Sequence, residues 1–454
     1  MKRRSFLTTT TATGLSFLGL QKYLNATPSD RVVTYYGPLL PDPDKLLDLP
    51  IGFKYKVISE AGQKMDDGFR VPNAPDGMAA FAGKDGRVIL VRNHELSFGA
   101  IKQGPFLEID FPSDLDPALS YDPGENGKFP HLGGTTNLVY NPATGETEKQ
   151  FLSLTGTDRN CAGGAMPWGS WITCEEPQDL TSTRGQNHGY CFEVKASDDG
   201  KLQKPVPLKA LGRFCHEAVA LDPTNGFLYL TEDRNDGLLY RFIPDEKNNF
   251  HKGKLQALAI IDKPDADLRN YDKVNVREGE NLPVTWIDLD DVTAPADDLR
   301  FRGRSAGAAV FARGEGIFYS EGHFYICCTD GGIGRQGQVL RLTPGGAEKT
   351  DGKDEICIFL EPGKSDLLTN GDNLCATPNG HLIICEDLVN EHKSATPHLR
   401  GITPDGKIYT LARNAAGKSE FAGSCFSPDG KTLFVNVQGT GHTLAITGPW
   451  LHSA

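Results

Sequence analysis

The sequence predicts an all-β chain folded as a six-bladed β-propeller with long loop insertions. Three observations carry that expectation. First, 51 Gly and 29 Pro stand against 38% hydrophobic residues in a chain of 454, a composition of turns and short strands rather than long helices. Second, one hairpin layout recurs: a Gly-containing turn, a short run of β-branched, aromatic and aliphatic residues, then a polar end. Third, the turn glycines Gly86, Gly169, Gly226, Gly322, Gly380 and Gly430 are 83, 57, 96, 58 and 50 residues apart. A four-stranded blade needs about 40–50 residues, so each interval holds a blade and, in places, an insertion. The two longest gaps leave room for a seventh blade.

The units follow in order. The first turns at Lys84-Asp85-Gly86 and runs through 87–91 to Asn93-His94-Glu95. The second turns at Pro167-Trp168-Gly169 and runs through 170–174 to Glu175-Glu176. The third turns over 222–226 and ends at Glu232-Asp233; the fourth turns at Glu321-Gly322 and ends at Asp330. The fifth turns at Pro378-Asn379-Gly380 and ends at Glu386-Asp387. The sixth turns at Pro428-Asp429-Gly430 and reaches Asn436 with no terminal acid. The acidic, Pro-containing segment 262–300 reads as an insertion over one face, and 442–446 is expected to pair near the N-terminal strand.

Lys2-Arg3-Arg4-Ser5-Phe6-Leu7 is a twin-arginine pattern, followed over 14–20 by a weakly apolar stretch. That stretch is shorter than the roughly 20 residues needed to span a bilayer, and no later segment looks transmembrane. Residues 1–26 therefore read as a twin-arginine signal peptide, with an ordinary basic start as the alternative. Residues 27–454 are left as a single β-propeller catalytic domain, periplasmic or secreted, with the export machinery as a transient partner and a monomer as the expected state. Cleavage after Ala26 removes four basic residues and no acids, taking the formal charge from -12 to -16. That charge excludes nucleic acid as a partner and suits divalent cations. Most of the ten cysteines sit in apolar strand patterns and read as buried free thiols. Cys161 differs: it lies in a Gly-rich stretch beside Arg159, where a thiolate could be stabilised.

In an antiparallel hairpin the entering and leaving residues finish at the same end of the ladder. Cys161 then faces Glu175 and Glu176, Glu217 faces Glu232 and Asp233, Glu315 faces Asp330, and Asp372 faces Glu386 and Asp387. Equivalent strand ends of a propeller converge on one face, so six or more carboxylates would share one funnel. Like charges confined together raise one another's pKa, and a multi-metal cluster resolves the conflict. Oxygen ligands suit calcium, and one thiolate among them suits a softer ion such as iron. One acidic pair alone reads as a solvated turn; the recurrence points to ligands. Strand alternation admits only one of Glu175 and Glu176 to the interior. His94, His131 and His188 are lone histidines and read as surface or packing residues. Arg313, two residues before Glu315, is either a bidentate grip on an anionic substrate or an ion-pair partner. Asn137 presents an amide to a phosphate or metal, or caps a turn. No Gly-x-Ser-x-Gly elbow, P-loop or His-Glu-x-x-His pair is present.

Those residues resemble the PhoX-type alkaline phosphatases. The likeness rests on Asn93-His94-Glu95, on GGTTN (Gly133 to Asn137), on RNCAGGAMPWGSWITCEE (Arg159 to Glu176) and on LGRFCHE (Leu211 to Glu217). It continues through ARGEG (Ala312 to Gly316), Cys385-Glu386-Asp387 and the tail from Cys425 to Trp450. The resemblance implies an exported propeller that hydrolyses phosphomonoesters with a cofactor of ferric (Fe3+) and calcium (Ca2+) ions. By motif, Cys161, Glu175 or Glu176, Glu217, Glu315 and Glu386 match metal ligands, while Arg313 and Asn137 match phosphate-contacting positions. Two alternatives stand beside it: a calcium-dependent propeller hydrolase of lactones or other esters, and a non-catalytic calcium-stapled binding propeller.

Overall fold

The computed structural model describes residues 31–106, 111–180, 185–345, 353–363, 367–388 and 395–450; the expected signal peptide lies outside them. Strands β1 (Leu39–Leu40), β2 (Leu47–Pro50) and β3 (Lys54–Glu60) precede a series of antiparallel meanders. The first meander is β4 (Pro75–Ala82), β5 (Val88–His94), β6 (Gly133–Asn141) and β7 (Glu146–Thr157). The second has three strands, β8 (Asn160–Met166), β9 (Ser170–Glu175) and β10 (Cys191–Lys195). Next come β11 (His216–Leu221), β12 (Leu228–Glu232), β13 (Leu239–Glu246) and β14 (Asn249–Ile260). After β15 (Leu282–Asp288) and the short helix α1 (Leu299–Ser305) follow β16 (Gly314–Ser320), β17 (His323–Cys328), β18 (Gln338–Thr343) and β19 (Glu355–Leu360). The fifth meander is β20 (Gly371–Ala376), β21 (Leu382–Glu386), β22 (His398–Ile402) and β23 (Ile408–Asn414). The last is β24 (Phe421–Phe426), β25 (Thr432–Val437) and β26 (His442–Thr447), and β3 completes it by pairing with β26.

Every turn read from the sequence falls between the first and second strand of a meander, where a tight Gly-containing turn suits the twist of the pair. The insertion departs from expectation. Its β15 pairs with both β14 and β19, fusing two meanders along their outer edges into one nine-stranded sheet. That pairing covers two edges that would otherwise be open.

The first strands pack side by side in a closed order, β4 on β8, β8 on β11, β11 on β16, β16 on β20, β20 on β24, and β24 on β4. The arrangement is all-β and propeller-like. Apolar side chains fill the spaces between neighbouring meanders, as with Tyr229, Phe324, Ile326 and Leu340 in one core and Leu411, Leu433 and Trp450 in another.

Each first strand breaks register near its start, between Pro75 and Met78, Asn160 and Gly163, His216 and Val219, Gly314 and Ile317, Gly371 and Leu374, and Ala422 and Cys425. Such a bulge bends the strand and re-aims a side chain. Small residues sit inside the breaks. A Cβ on Gly77 would lie 2.6 Å from Ala162 Cα and Cys161 O, and one on Gly316 would lie 2.7 Å from Asp372 O. Neighbouring backbones therefore touch at this level, and the residues beside them are drawn together.

Candidate active site

The second residue of five successive first strands is an acid or a cysteine: Asp76 on β4, Cys161 on β8, Glu217 on β11, Glu315 on β16 and Asp372 on β20. All five are buried. Ligand atoms of Cys161, Glu176 and Glu217 lie within 4.8 Å of one another, as do those of Glu217, Glu315 and Asp372. Glu217 therefore joins two triplets into one group. Asp76, Glu95 and Glu420 form a further triplet at the same spacing. It borders the first two, since Asp76 acts electrostatically on both Cys161 and Glu217.

The backbone under this group is fixed from the second strands. Asn93 on β5 donates from Nδ2 to Cys161 O and Ala162 O at 2.9 and 2.8 Å, and its own Oδ1 accepts from Trp171 Nε1 and Thr173 Oγ1. Thr231 Oγ1 donates to Glu315 O at 2.6 Å, Thr329 Oγ1 to Gly371 O at 2.8 Å, and Asn436 Nδ2 to Asp76 O at 2.5 Å. Carbonyls freed by the bulges are thereby satisfied rather than left orphaned in the interior.

Charge is not balanced to the same degree. Burial, then Asp372 and Glu176, push the Glu217 carboxyl well above its usual range. Burial and Asp233 do the same to Glu315 against the opposing Arg313. Asp372 and Asp76 are raised by burial and by neighbouring acids. Burial and Asp233 push Glu176 up to about 8, with Arg159 opposing. The Cys161 thiol is also raised, by burial and then by Glu217 and Glu176. Arg159 does act electrostatically on Cys161, as expected, but burial and the surrounding acids dominate in the ion-free protein. Cys161 sits in a strand among acids, while the Arg159 guanidinium pairs with Glu95 and Glu176. Oxygen donors around one sulfur, each raising the others' proton affinity, form a donor set that fits cations; bound ions would replace those protons.

Four of the sequence-predicted residues, Cys161, Glu176, Glu217 and Glu315, come together here. Glu175 and Glu386 do not. Glu175 accepts N–H groups from Asp158, Gly189 and Tyr190 and pairs with His188 Nδ1 at 2.6 Å. Glu386 accepts from the Thr369 and His398 amides and from Arg400 Nε at 2.8 Å. Burial would raise the Glu386 pKa, but His398 and Arg400 outweigh it and hold the carboxyl low. The reason is alternation. Glu175 and Glu386 stand opposite Asn160 and Gly371 in the ladder, so only the following residue, Glu176 or Asp387, turns to the other face.

Asn137 is likewise displaced. It lies on β6, the third strand of its meander, and its Nδ2 donates to Lys195 O and Ser197 O. Arg313 sits at the rim, with Nε and Nη2 on the two oxygens of Asp233 at 2.8 and 2.7 Å and Nη2 also on Glu315. Arg313 is thus ion-paired to Asp233 and Glu315 at the edge of the acidic group. The sequence reading did not name Asp76, Glu95, Asp372 or Glu420 as ligands. Asp372 and Asp76 carried a usable signal, since each occupies the strand position of Cys161, Glu217 and Glu315; Glu420, one residue before β24, carried none.

A family model described as alkaline phosphatase PhoX matches residues 34–139 and 126–441. Among solved structures, Pseudomonas fluorescens PhoX in complex with vanadate, a transition state analogue, superposes with a TM-score of 0.67 at 19% identity, covering 92% of this chain and 98% of that one. A Xanthomonas campestris gluconolactonase gives a TM-score of 0.43 at 11% identity over 92% of this chain and 99% of that one. A periplasmic gluconolactonase from Pseudomonas aeruginosa gives 0.40 at 14% identity, over 86% and 90%. No curated protein matches the chain.

Proposed function

This chain belongs to the PhoX family of alkaline phosphatases, and on that premise we propose that it hydrolyses phosphomonoesters at an iron–calcium centre held by Cys161, Glu176, Glu217, Glu315 and Asp372. The observation that carries the reading is the convergence of these five donors, four of them from the same position of four different strands. Asp76, Glu95 and Glu420 supply three further carboxylates beside them, suited to calcium.

When bound, the ions supply Lewis-acid neutralisation of the phosphate oxygens and lower the pKa of the attacking water. The protein's own part is to place charge and exclude alternatives. Cys161, Glu315 and Asp76 are buried with their carbonyls held by Asn93, Thr231 and Asn436, and Thr329 holds Gly371 next to Asp372, so much of the donor geometry is set before substrate arrives. Arg313 is oriented by Asp233 and Glu315, leaving Nη1, which no described residue engages, for an oxygen of the transferring group. No side chain acts as a covalent nucleophile in this scheme.

In the same reading the six meanders are six blades of one catalytic propeller spanning residues 27–454. The Lys2-Arg3-Arg4 start directs the folded chain through the twin-arginine route to the periplasm or beyond. The test is Cys161→Ala, purified after native export and assayed for iron, calcium and p-nitrophenyl phosphate hydrolysis. Loss of iron together with turnover is expected. Full iron content with wild-type turnover overturns the assignment.

A further inference from the structure

A second group of potential ligands lies outside the acidic mouth. Asp122, His131 and His188 bring one carboxylate oxygen and two imidazole nitrogens within 4.8 Å of one another, all on buried residues. His188 Nε2 stands 3.6 Å from Asp122 Oδ2, and His131 Nε2 stands 4.0 Å from the same oxygen. The His131 Nδ1 edge faces Asp158 Oδ1 at 3.6 Å. These separations are too long for hydrogen bonds but close to those between neighbouring ligands on one ion with bonds of about 2.0–2.2 Å.

Two independent features point to a ligand. His188 is 7% exposed, and its Nε2 is buried with no hydrogen-bond partner among the described residues; His131 Nδ1 is in the same state. The other nitrogen of His188, Nδ1, is held by Glu175 at 2.6 Å, and Glu175 is itself fixed by three main-chain amides. Burial disfavours a charged His188, but Glu175 and Asp122 outweigh it and push its pKa up to about 10, so an ion would take the place of the Nε2 proton while Glu175 holds Nδ1 and fixes the tautomer that faces the metal. Asp122 is prepared in the same way, with Gly124 N on Oδ1 at 2.9 Å and Gln186 N on Oδ2 at 2.7 Å. At Gly185 a Cβ would fall 1.8 Å from Asp122 Oδ2, so glycine keeps the space beside that oxygen open. The group borders a cleft of about 390 Å³ lined by His131, His188, Asp158, Arg159 and Arg213, which gives an ion a path in.

We propose that Asp122, His131 and His188, with Asp158 beside them, form a separate site for one divalent transition cation of the zinc type, served by Glu175 as the carboxylate that orients His188. Imidazole and carboxylate ligands suit such an ion and would be a poor match for calcium. The assignment explains why Glu175 is turned away from Glu176: it supports a second centre rather than the first.

The test uses the full chain already loaded with its iron and calcium, dialysed against cobalt(II) as a spectroscopic stand-in for zinc. One additional cobalt per chain is expected, with ligand-field bands in the difference spectrum against the undialysed protein and no new thiolate-to-cobalt charge transfer. His131→Ala and His188→Ala should each weaken that uptake about 100-fold while iron and calcium contents stay at wild-type levels. Absence of the extra equivalent in the wild-type protein overturns the proposal, as do equal uptake in both variants and a charge-transfer band placing the cobalt at Cys161. The wild-type stoichiometry decides the matter even if a variant fails to fold.

Discussion

Glu175 and Glu176 are neighbours in the chain and opposites in surroundings. Glu175 is satisfied by three main-chain amides and a histidine. Glu176 faces Asp233 and Glu95, with Arg159 as its opposing cation. The split recurs at the next strand ends. Glu232 accepts from Leu238 N and Tyr240 OH, while Asp233 turns to Arg313. Glu386 locks onto His398 and Arg400, while Asp387 acts electrostatically on Asp372 and Arg313. One step along a strand thus separates a carboxylate that anchors adjacent backbone from one that adds to the charged mouth.

The sharpest way to break this comparison is to neutralise one acid from each set. Glu217→Gln removes the donor shared by both triplets and should lower phosphatase kcat about 1,000-fold, the scale of a lost electrostatic stabiliser, with metal content falling in parallel. Glu232→Gln, read by the same assay, should retain most activity per bound metal.

A second expectation concerns pH. The Glu176 carboxyl rises from an ordinary 4.5 to about 8 in the folded, ion-free protein. The folded state therefore keeps a proton that the unfolded chain releases near its ordinary value, and stability falls as pH climbs from about 4.5 to about 8. The loss amounts to a few kcal/mol. Cation binding removes that dependence. Calorimetry from pH 5 to pH 8 should show Tm dropping in chelated protein and holding far better in loaded protein.

Glu386→Ala probes the other set. It strips Arg400 and His398 of a buried partner and should destabilise the fold by about 3 kcal/mol, measured by denaturant unfolding. Turnover per bound iron should be unchanged. The smallest effect belongs to Asn137→Ala. Loss of its hydrogen bonds to Lys195 and Ser197 should lower stability by about 1 kcal/mol and leave kcat/KM within about twofold.

Legibility in the sequence followed the same division. Turns such as Asp429-Gly430 and Asn379-Gly380 mark the hairpins because few residues suit that backbone, so the strand order could be read directly. Convergence of Cys161, Glu217 and Glu315 followed from their shared place at strand starts. What could not be read was the facing of adjacent acids. Glu386 and Asp387 look alike in sequence, and ladder register decides between them. Asn137 was not legible because its amide, on the third strand of its meander, is taken up by the Lys195 and Ser197 carbonyls, partners about 60 residues away in sequence. His131 and His188 looked solitary because they lie 57 residues apart, and stacking at 4.1 Å between ring centroids exists only in three dimensions.

The most direct measurement is the iron and calcium content of Glu175→Gln and Glu176→Gln, each purified after native export beside the wild type. Glu176→Gln should lose metal from the mouth while Glu175→Gln keeps its full iron and calcium. Depletion in Glu175→Gln with a full complement in Glu176→Gln would contradict this division of labour between the two acids.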